Sequence, residues 1–540
     1  MEKKNIARAI QKSLNGGTRR QHVRWLYGFT ALISVTMFIL FWYTSVFHDT
    51  ILSNLELKNG TSSFLLWQKP PVNLEIKIYV FNYTNVREFE SGKATKLKVE
   101  EVGPFIYREN LSRVNVEIHE NGTITYQERK RYQWISGKSE NERVIVPNVM
   151  LMSTLAFSRN LSYLFQIGLT MFLSRIRAEP FLELSVGQYL WGYEDELYEV
   201  AKRFSSLRSV FTLDKFGLLA FNNGSSPDRI TIHSETDNLG IIERINGIEN
   251  HQIWGDEKCD RIYGTDGSMF PPHWINQPNK TLFIYAKDFC RKMPFHYDHR
   301  NFSNGIPTLR YKLSSNVFAS TRNKDSCFCP KESHDSTIRI CPPTGTLNVS
   351  ACNFGTPMIA SFPHFYTGNE SLFEKIVGLE PRQERHESYI DLHPRLGITV
   401  NMNMRLQMNV EVRKAVGIPF SGNLEDGLIL PLIWLDTGIG EIPESLRQIL
   451  YRSHYLVNAI EAVLQWCSLI GAIISFGALF ATMKKERSRN RSRRNWIRNS
   501  IDRSQSGLKL NSIDCNGTIV DDDIMHCVFN DFTENTASTT

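Results

Sequence analysis

The 540-residue sequence predicts a two-span membrane protein with a large extracytoplasmic α+β ectodomain. Three observations predict it. Two long apolar segments lie near the chain ends, ten N-glycosylation sequons lie between them, and six cysteines crowd into the second half of the same stretch.

The first segment, Trp25 to Phe47, holds 23 residues without a charge. A hydrocarbon core of about 30 Å takes roughly 20 helical residues at about 1.5 Å each, so the segment is long enough to span. Trp25 and Tyr27 at one end, and Trp42 and Tyr43 near the other, suit the headgroup level. A cleaved signal peptide fits less well: its apolar region is typically about 7–15 residues, and no small-residue cleavage site precedes His48. The second segment, Leu456 to Met483, runs directly into the basic stretch Lys484 to Arg494. Ahead of the first segment, seven basic residues (Lys3, Lys4, Arg8, Lys12, Arg19, Arg20 and Arg24) face one acid, Glu2. Lys and Arg collect on the cytosolic side, so both termini are expected to be cytoplasmic and His48 to Tyr455 extracytoplasmic.

Composition fits this map. The net charge of +6 resides in the tails: seven basic residues against one acid before Trp25, and ten against eight after Met483. That basicity is juxtamembrane, where each cation gains about 1 kcal/mol from anionic lipid. It argues against nucleic acid as a partner. The sequons are Asn59, Asn82, Asn110, Asn121, Asn160, Asn223, Asn279, Asn301, Asn348 and Asn369; Asn490 and Asn516 lie in the tails, beyond the glycosylation machinery. The ectodomain cysteines are Cys259, Cys290, Cys327, Cys329, Cys341 and Cys352. An even set in an oxidising compartment reads as disulfides, with 15 pairings open. Zinc is disfavoured because Cys327-Phe-Cys329 lacks the usual ligand spacing.

Along the chain, Leu74 to Tyr83 is rich in β-branched and aromatic residues and reads as a strand. Arg113 to Trp134 reads as a hairpin: Val114, Val116 and Ile118 alternate on one arm, Ile124 and Tyr126 on the other, and Asn121-Gly122 makes the turn. From Val144 to Ser174 the only charge is Arg159. The interrupted run is too short to span. It reads either as two buried core helices or as an apolar helical cap at the membrane-distal end, with Arg159, Arg175 and Arg177 as candidate ligand-binding cations. Pro180 to Phe204 continues as helix, and Phe216 to Phe221, Ile230 to His233 and Leu282 to Ala286 as short strands. Gly264 to Pro272 is loop chemistry, in which Asp266 has no base or phosphate-cradling turn beside it. His296-Tyr-Asp298-His299 reads as a solvated loop rather than a metal site.

The clearest strand is Ile398 to Val412, with eight apolar positions at period two and polar residues between them. One buried and one wet face follow, and a length of roughly 50 Å suits a large barrel or coiled sheet. Met402, Met404, Leu406 and Met408 read as adaptable core filling or as a soft lining for a lipid-sized cavity. On the second span Asn458, Glu461, Gln465, Ser468, Ala472 and Ser475 form one polar or small stripe. It predicts packing, through Glu461 in particular, on the first span or on another copy, which allows a homo-oligomer. Beyond Lys509 the tail turns acidic (Asp514, Asp521, Asp522, Asp523) and is expected to be disordered.

GPFIYREN at Gly103, LWGYEDEL at Leu190, GTDGSMFPP at Gly264, CFCP at Cys327, SFPHFY at Ser361, GLEPRQERHESYIDLHP at Gly378 and LPLIWLDTG at Leu430 together resemble the class B scavenger receptor family. That family includes platelet glycoprotein IV, the type-two lysosomal integral membrane protein and the insect sensory neuron membrane proteins. Asn82-Tyr-Thr and LLWQKPP at Leu65 look like its insect branch. The resemblance covers about Arg24 to Met483. It implies an antiparallel β-barrel core with an apical helical bundle at about Asn148 to Phe204, an internal apolar tunnel, and disulfides Cys259–Cys327, Cys290–Cys352 and Cys329–Cys341. The thin charge of the apex, with no lysine from Val144 to Glu199, departs from basic apices that favour anionic particles. Cys515 and Cys527 lie too far from the membrane to match juxtamembrane acylation sites.

The function expected is a scavenger receptor that binds lipids, lipoproteins or lipid-bearing particles, apoptotic or microbial ones included. It would pass hydrophobic cargo (a lipid, fatty acid, sterol or carotenoid) through the ectodomain to the membrane. An apolar conduit removes the cost of about 0.8 kcal/mol per CH₂ moved into water. The alternatives are a sorting, adhesion or phagocytic receptor without lipid flux, and a two-span ligand-gated ion channel. No triad, metal set or paired carboxylates argue for an enzyme, and no cofactor is expected. The plasma membrane is the expected location, with late endosome or lysosome the other compartment that ten glycans suit.

Overall fold

The computed structural model describes residues 2–204, 213–275, 277, 279–319, 326–330 and 339–505. The acidic tail with Asp514, Cys515, Asn516, Asp521 to Asp523 and Cys527 lies outside them. The chain divides into two units, residues 44–463 and the two terminal portions taken together, up to 43 and from 464.

The strands that matter here are β1 (Leu74–Tyr83), β2 (Leu97–Ile118), β3 (Thr123–Gly137), β4 (Arg143–Pro147), β5 (Phe181–Ser185), β6 (Ile230–His233), β7 (Ile242–Ile245), β8 (Leu282–Ala286), β9 (Arg291–Ser303), β10 (Ile306–Leu313), β11 (Met358–Ser361), β12 (Tyr389–Leu392), β13 (Thr399–Glu411) and β14 (Ile429–Ile439). The helices are α1 (Glu2–Tyr43), α2 (Val149–Ser158), α3 (Tyr163–Arg175), α4 (Val186–Trp191), α5 (Glu196–Phe204) and α6 (Glu444–Gln505).

Eleven strands of the large unit form one antiparallel path, β7-β6-β3-β2-β1-β14-β13-β12-β10-β9-β8. The loop at Gly264 nearly closes it into a barrel. Ile242 N–H on β7 donates to Gly264 O (2.8 Å), while Thr265 exchanges bonds with Phe283 and Tyr285 on β8 (2.9 Å each), so one loop stitches together the two ends of the path. Gly264 has φ +131°, and a Cβ there would sit 2.7 Å from Phe283 O, so the seam requires glycine.

The register sorts side chains into faces. Met404, Leu406 and Met408 lie opposite Thr437, Leu435 and Ile433, which lie opposite Ile76, Ile78 and Val80. The same face continues through Tyr107 and Glu109 to Tyr132 and Lys130 on β3.

Several elements differ from the sequence reading. Pro180 to Phe204 is not one helix: Phe181–Ser185 pairs with β4, and Gly192 at φ +150° separates α4 from α5. Phe216 makes one bridge to Tyr193 rather than starting a strand. His296 to His299 belongs to β9, whose register shifts at Asp298, so alternation was hidden by the irregularity. The β2 arm of the hairpin loses its alternation at Asn115 (φ +52°), and Ile118 is exposed. The first apolar helix ends at Tyr43, short of Phe47.

In the small unit two helices are long and apolar enough to cross a membrane. Gln465 Nε2 donates to Phe41 O (3.0 Å), Trp42 Nε1 donates to Gln465 O (3.2 Å), and Trp42 meets Trp466 edge-to-face. Ser468 and Ser475 of the predicted stripe are buried.

Candidate functional site

The helical bundle splits between the two readings of its sequence. α2, capped by Asn148 Oδ1 accepting from Leu151 N–H (3.0 Å), buries Met150, Leu151, Met152 and Leu155. α3 buries Leu173, packs Leu169 and Phe172 partly against the same core, and leaves Tyr163, Leu164, Phe165 and Met171 exposed. Phe157, Tyr163, Leu164, Phe165 and Met171 are 69–79 % exposed, far beyond the scattered exposure of a monomer surface. Arg159 lies at the end of α2 and pairs with Asp426 (3.2 Å). Arg175 and Arg177 are exposed and make no ion pair among the described residues. The cap is thus an apolar surface with two uncompensated cations beside it.

On β13 the expected faces are inverted in part. Met402, Met404, Leu406 and Met408 are half-buried, although their strand lies mid-sheet between β12 and β14. The C-terminal part of the expected wet face is closed: Gln407 and Asn409 are fully buried. β11 pairs antiparallel with β13 beside them, Ile359 opposite Asn409 and Ser361 opposite Gln407. Asn409 Nδ2 donates to Ile359 O and Ser361 Oγ (3.0 Å each), and Gln407 Nε2 donates to Asn409 Oδ1 (2.7 Å). Gln407 Oε1 accepts from His364 N–H (2.6 Å).

His364 opens a buried polar network that sequence reasoning missed. Its Nδ1 accepts from Glu380 N–H (3.1 Å), which leaves Nε2 to donate to Glu101 Oε2 (2.7 Å). Trp434 Nε1 donates to the same oxygen (2.9 Å), and Arg385 bonds the other. Burial pushes the Glu101 carboxyl up, but the hydrogen bonds from His364 and Trp434 and the charges of His364 and Arg385 outweigh it and hold it below its ordinary value. His386, fully buried, accepts from Arg382 N–H at Nδ1 (3.0 Å), and its Nε2 has no partner among the described residues. Burial, then the His364 and Arg385 charges, bring its pKa down to about 3. The signal for this network lay in SFPHFY and in the His386 motif. No local pattern links either to Glu101, which is 263 positions from His364.

The face shared with the methionines ends in charge. Lys130 Nζ lies 3.5 Å from Glu109 and 3.9 Å from Glu128, and Lys287 bonds Glu128 at 3.2 Å. Burial raises the Glu128 carboxyl, but Lys130, Lys287 and Arg113 pull it down to about 2.

The remaining predicted residues are placed as follows. The cysteines pair as Cys259–Cys327, Cys290–Cys352 and Cys329–Cys341, with Cα atoms 6.2, 6.0 and 4.7 Å apart. Asn59, Asn110, Asn121, Asn160, Asn223, Asn279 and Asn369 are exposed, while Asn82, Asn301 and Asn348 are half-buried. Asp266 is the ion-pair partner of buried Arg113 (2.7 Å), a structural role. The Glu461 carboxylate accepts from Arg395 (2.7 Å), as does Asn458 Oδ1 (2.5 Å).

The profile of the CD36 family matches residues 26–483. Scavenger receptor class B member 1 of Bos taurus is 28 % identical over 478 residues, covering 85 % of this chain and 91 % of that protein. Lysosome membrane protein 2 is 32 % identical over 435 residues in Mus musculus (77 % and 85 % covered) and 30 % over 414 in Homo sapiens (75 % and 83 %).

Proposed function

The chain belongs to the CD36 family, and from that premise we propose a scavenger receptor that captures lipids or lipid-bearing particles on its helical cap and passes hydrophobic cargo along the inner face of β13 to the membrane. One observation carries the reading. Met404, Leu406 and Met408 keep accessible surface in the middle of the sheet, while Gln407 and Asn409 on the opposite face are sealed. A core strand buries its apolar face first; leaving it accessible suits a wall against which an apolar guest lies. Methionine adapts to guests of irregular shape. The exposed Phe157, Leu164 and Phe165 supply the outer apolar surface, and Arg175 and Arg177 supply attraction for anionic head groups. No covalent step is involved. We place both tails in the cytosol and the large unit outside, on the basic flanks of the two apolar segments. The plasma membrane is the proposed site.

The test uses full-length protein in cells and a photoreactive fatty acid or sterol. Label should map to Met402–Met408, and Met404→Trp should abolish both that label and lipid uptake while surface expression persists. Uptake unchanged by Met404→Trp, with no label on β13, would move the reading to a sorting or adhesion receptor.

A further inference from the structure

The outer side of the barrel at β3, β6 and β7 carries a groove of about 630 Å³. Ile124 and Tyr126 on β3, and Ile230 and Ile232 on β6, point into the core. The alternate residues Thr123, Thr125 and Thr231 therefore line the groove floor. Its walls are Glu117, His119, Arg229, Glu243, Arg244 and Asn246. Thr123 and Thr125 are buried although they lie on the outer face, so the walls rise well above them. His119 Nε2 bonds Thr125 Oγ1 (2.8 Å), which bonds Thr231 Oγ1 (2.9 Å); Arg229 pairs with Glu117 (2.6 Å) and Arg244 with Glu243 and Glu249 (3.1 Å each).

Asn121 stands at the end of this groove and lines it. Thr123 Oγ donates to Asn121 Oδ1 (2.8 Å), which turns the carbonyl toward the strand and leaves the exposed amide nitrogen for modification.

We propose that this groove is a carbohydrate-binding site for the chain's own glycan: the first N-acetylglucosamine residues on Asn121 lie in it and join the β2–β3 hairpin tip to β6 and β7. The walls offer alternating acceptors and donors suited to hydroxyl and acetamido groups. A groove this open binds a free sugar weakly. A sugar tethered at its rim has an effective concentration in the millimolar range, so weak contacts suffice for occupancy. Asn59, Asn110 and Asn369 are exposed sequons that line neither this groove nor the neighbouring pocket at His233. The inference rests on the large unit facing the secretory lumen.

The experiment is site-resolved glycopeptide mass spectrometry of the natively folded full-length protein during timed digestion with a peptide N-glycosidase. Release from Asn121 should be at least ten-fold slower than from Asn59, Asn110 and Asn369. Thr231→Trp, which fills the groove, should bring Asn121 to the rate of the others. Arg244→Ala, an exposed change that leaves folding intact, should accelerate it about three-fold. Equal rates in the unsubstituted protein, or an unoccupied Asn121 beside occupied sites, overturns the groove. An absence of glycan at every site instead overturns the lumenal placement.

Discussion

His364 and His386 stack face to face, with ring centroids 4.8 Å apart and planes 5° from parallel. Two imidazoles in that arrangement cannot both be charged without repulsion in a buried site. His386 is the one held neutral: its pKa falls from 6.5 to about 3, first through burial and then through His364 and Arg385. The folded pKa lies below the unfolded one, so the unfolded chain takes up the proton first. Stability present above pH 6.5 is therefore lost as pH falls toward 3. At pH 5 the loss from this group is about 2 kcal/mol relative to pH 7.5. Chemical denaturation at the two pH values measures it. His386→Asn keeps an acceptor for Arg382 N–H and removes the titration, so the pH-dependent difference should shrink by about that amount. A difference unchanged in the variant assigns the acid sensitivity elsewhere, with His393, lowered by burial to about 4, the next candidate.

The barrel seam depends on one backbone position. Gly264→Ala places a methyl 2.7 Å from Phe283 O at φ +131°. Neither backbone can yield without breaking the bonds from Ile242 and Tyr285 that close the barrel. A loss of about 2–4 kcal/mol is expected, with hydrogen exchange of the Ile242 and Tyr285 amides rising together. Gly305→Ala, at φ +79° with open space around its Cβ, is the control and should cost about 1 kcal/mol.

The seam also illustrates what the sequence could disclose. GTDG reads as a turn from its glycines alone, but nothing local says which strands it joins, because that depends on β7 and β8 arriving at the same place. The period-two pattern of Met402 to Met408 likewise identifies the strand and which residues share a face, but not which face is covered. The burial of Gln407 and Asn409 is decided by Ile359 and Ser361, some fifty positions away. Polar residues at the expected outer positions read as solvated unless the covering segment is known. Helix α3 was readable as apolar and too short to span; that its apolar side stays uncovered is a property of what packs beside it. Glu461 was singled out correctly as a costly acid on an apolar helix. Its pairing with Arg395 has no signal in the sequence, because Arg395 lies in a loop with no helical or strand periodicity to place it.

Arg395 and Glu461 form a mostly buried pair, 14 % and 29 % exposed, with Asn458 sharing the guanidinium. Glu461→Leu leaves the cation in place without its carboxylate, a change expected to cost about 2–3 kcal/mol. Arg395→Met combined with Glu461→Leu should recover at least half of that, giving a coupling energy above about 1 kcal/mol in the double-mutant cycle. Crosslinks placed between Phe41 and Gln465 should form as before in Glu461→Leu. Their loss would show that Glu461 acts on the first apolar helix after all.

Lys130 sits where the methionine-lined face turns charged, and its ammonium approaches Glu109 and Glu128 at 3.5 and 3.9 Å, beyond hydrogen-bond range. Glu109 is 4 % exposed, and Lys130 is its ion-pair partner among the described residues. Lys130→Met therefore leaves a buried carboxylate uncompensated, and a destabilisation of about 3 kcal/mol follows at neutral pH. Adding Glu109→Gln removes the stranded charge and should restore most of the stability. Glu128 retains Lys287 at 3.2 Å, so acid unfolding near its depressed pKa of about 2 should persist in the double variant. The same pair of variants probes the chemistry of the inner face. An ammonium with no hydrogen-bonded partner among the described residues, at the end of an apolar wall, suits the polar end of an amphiphile. In full-length protein, Lys130→Met/Glu109→Gln should therefore retain a fully apolar ester while losing preference for a lipid with a polar head. Equal retention of both by the unsubstituted protein would confine Lys130 to a structural role.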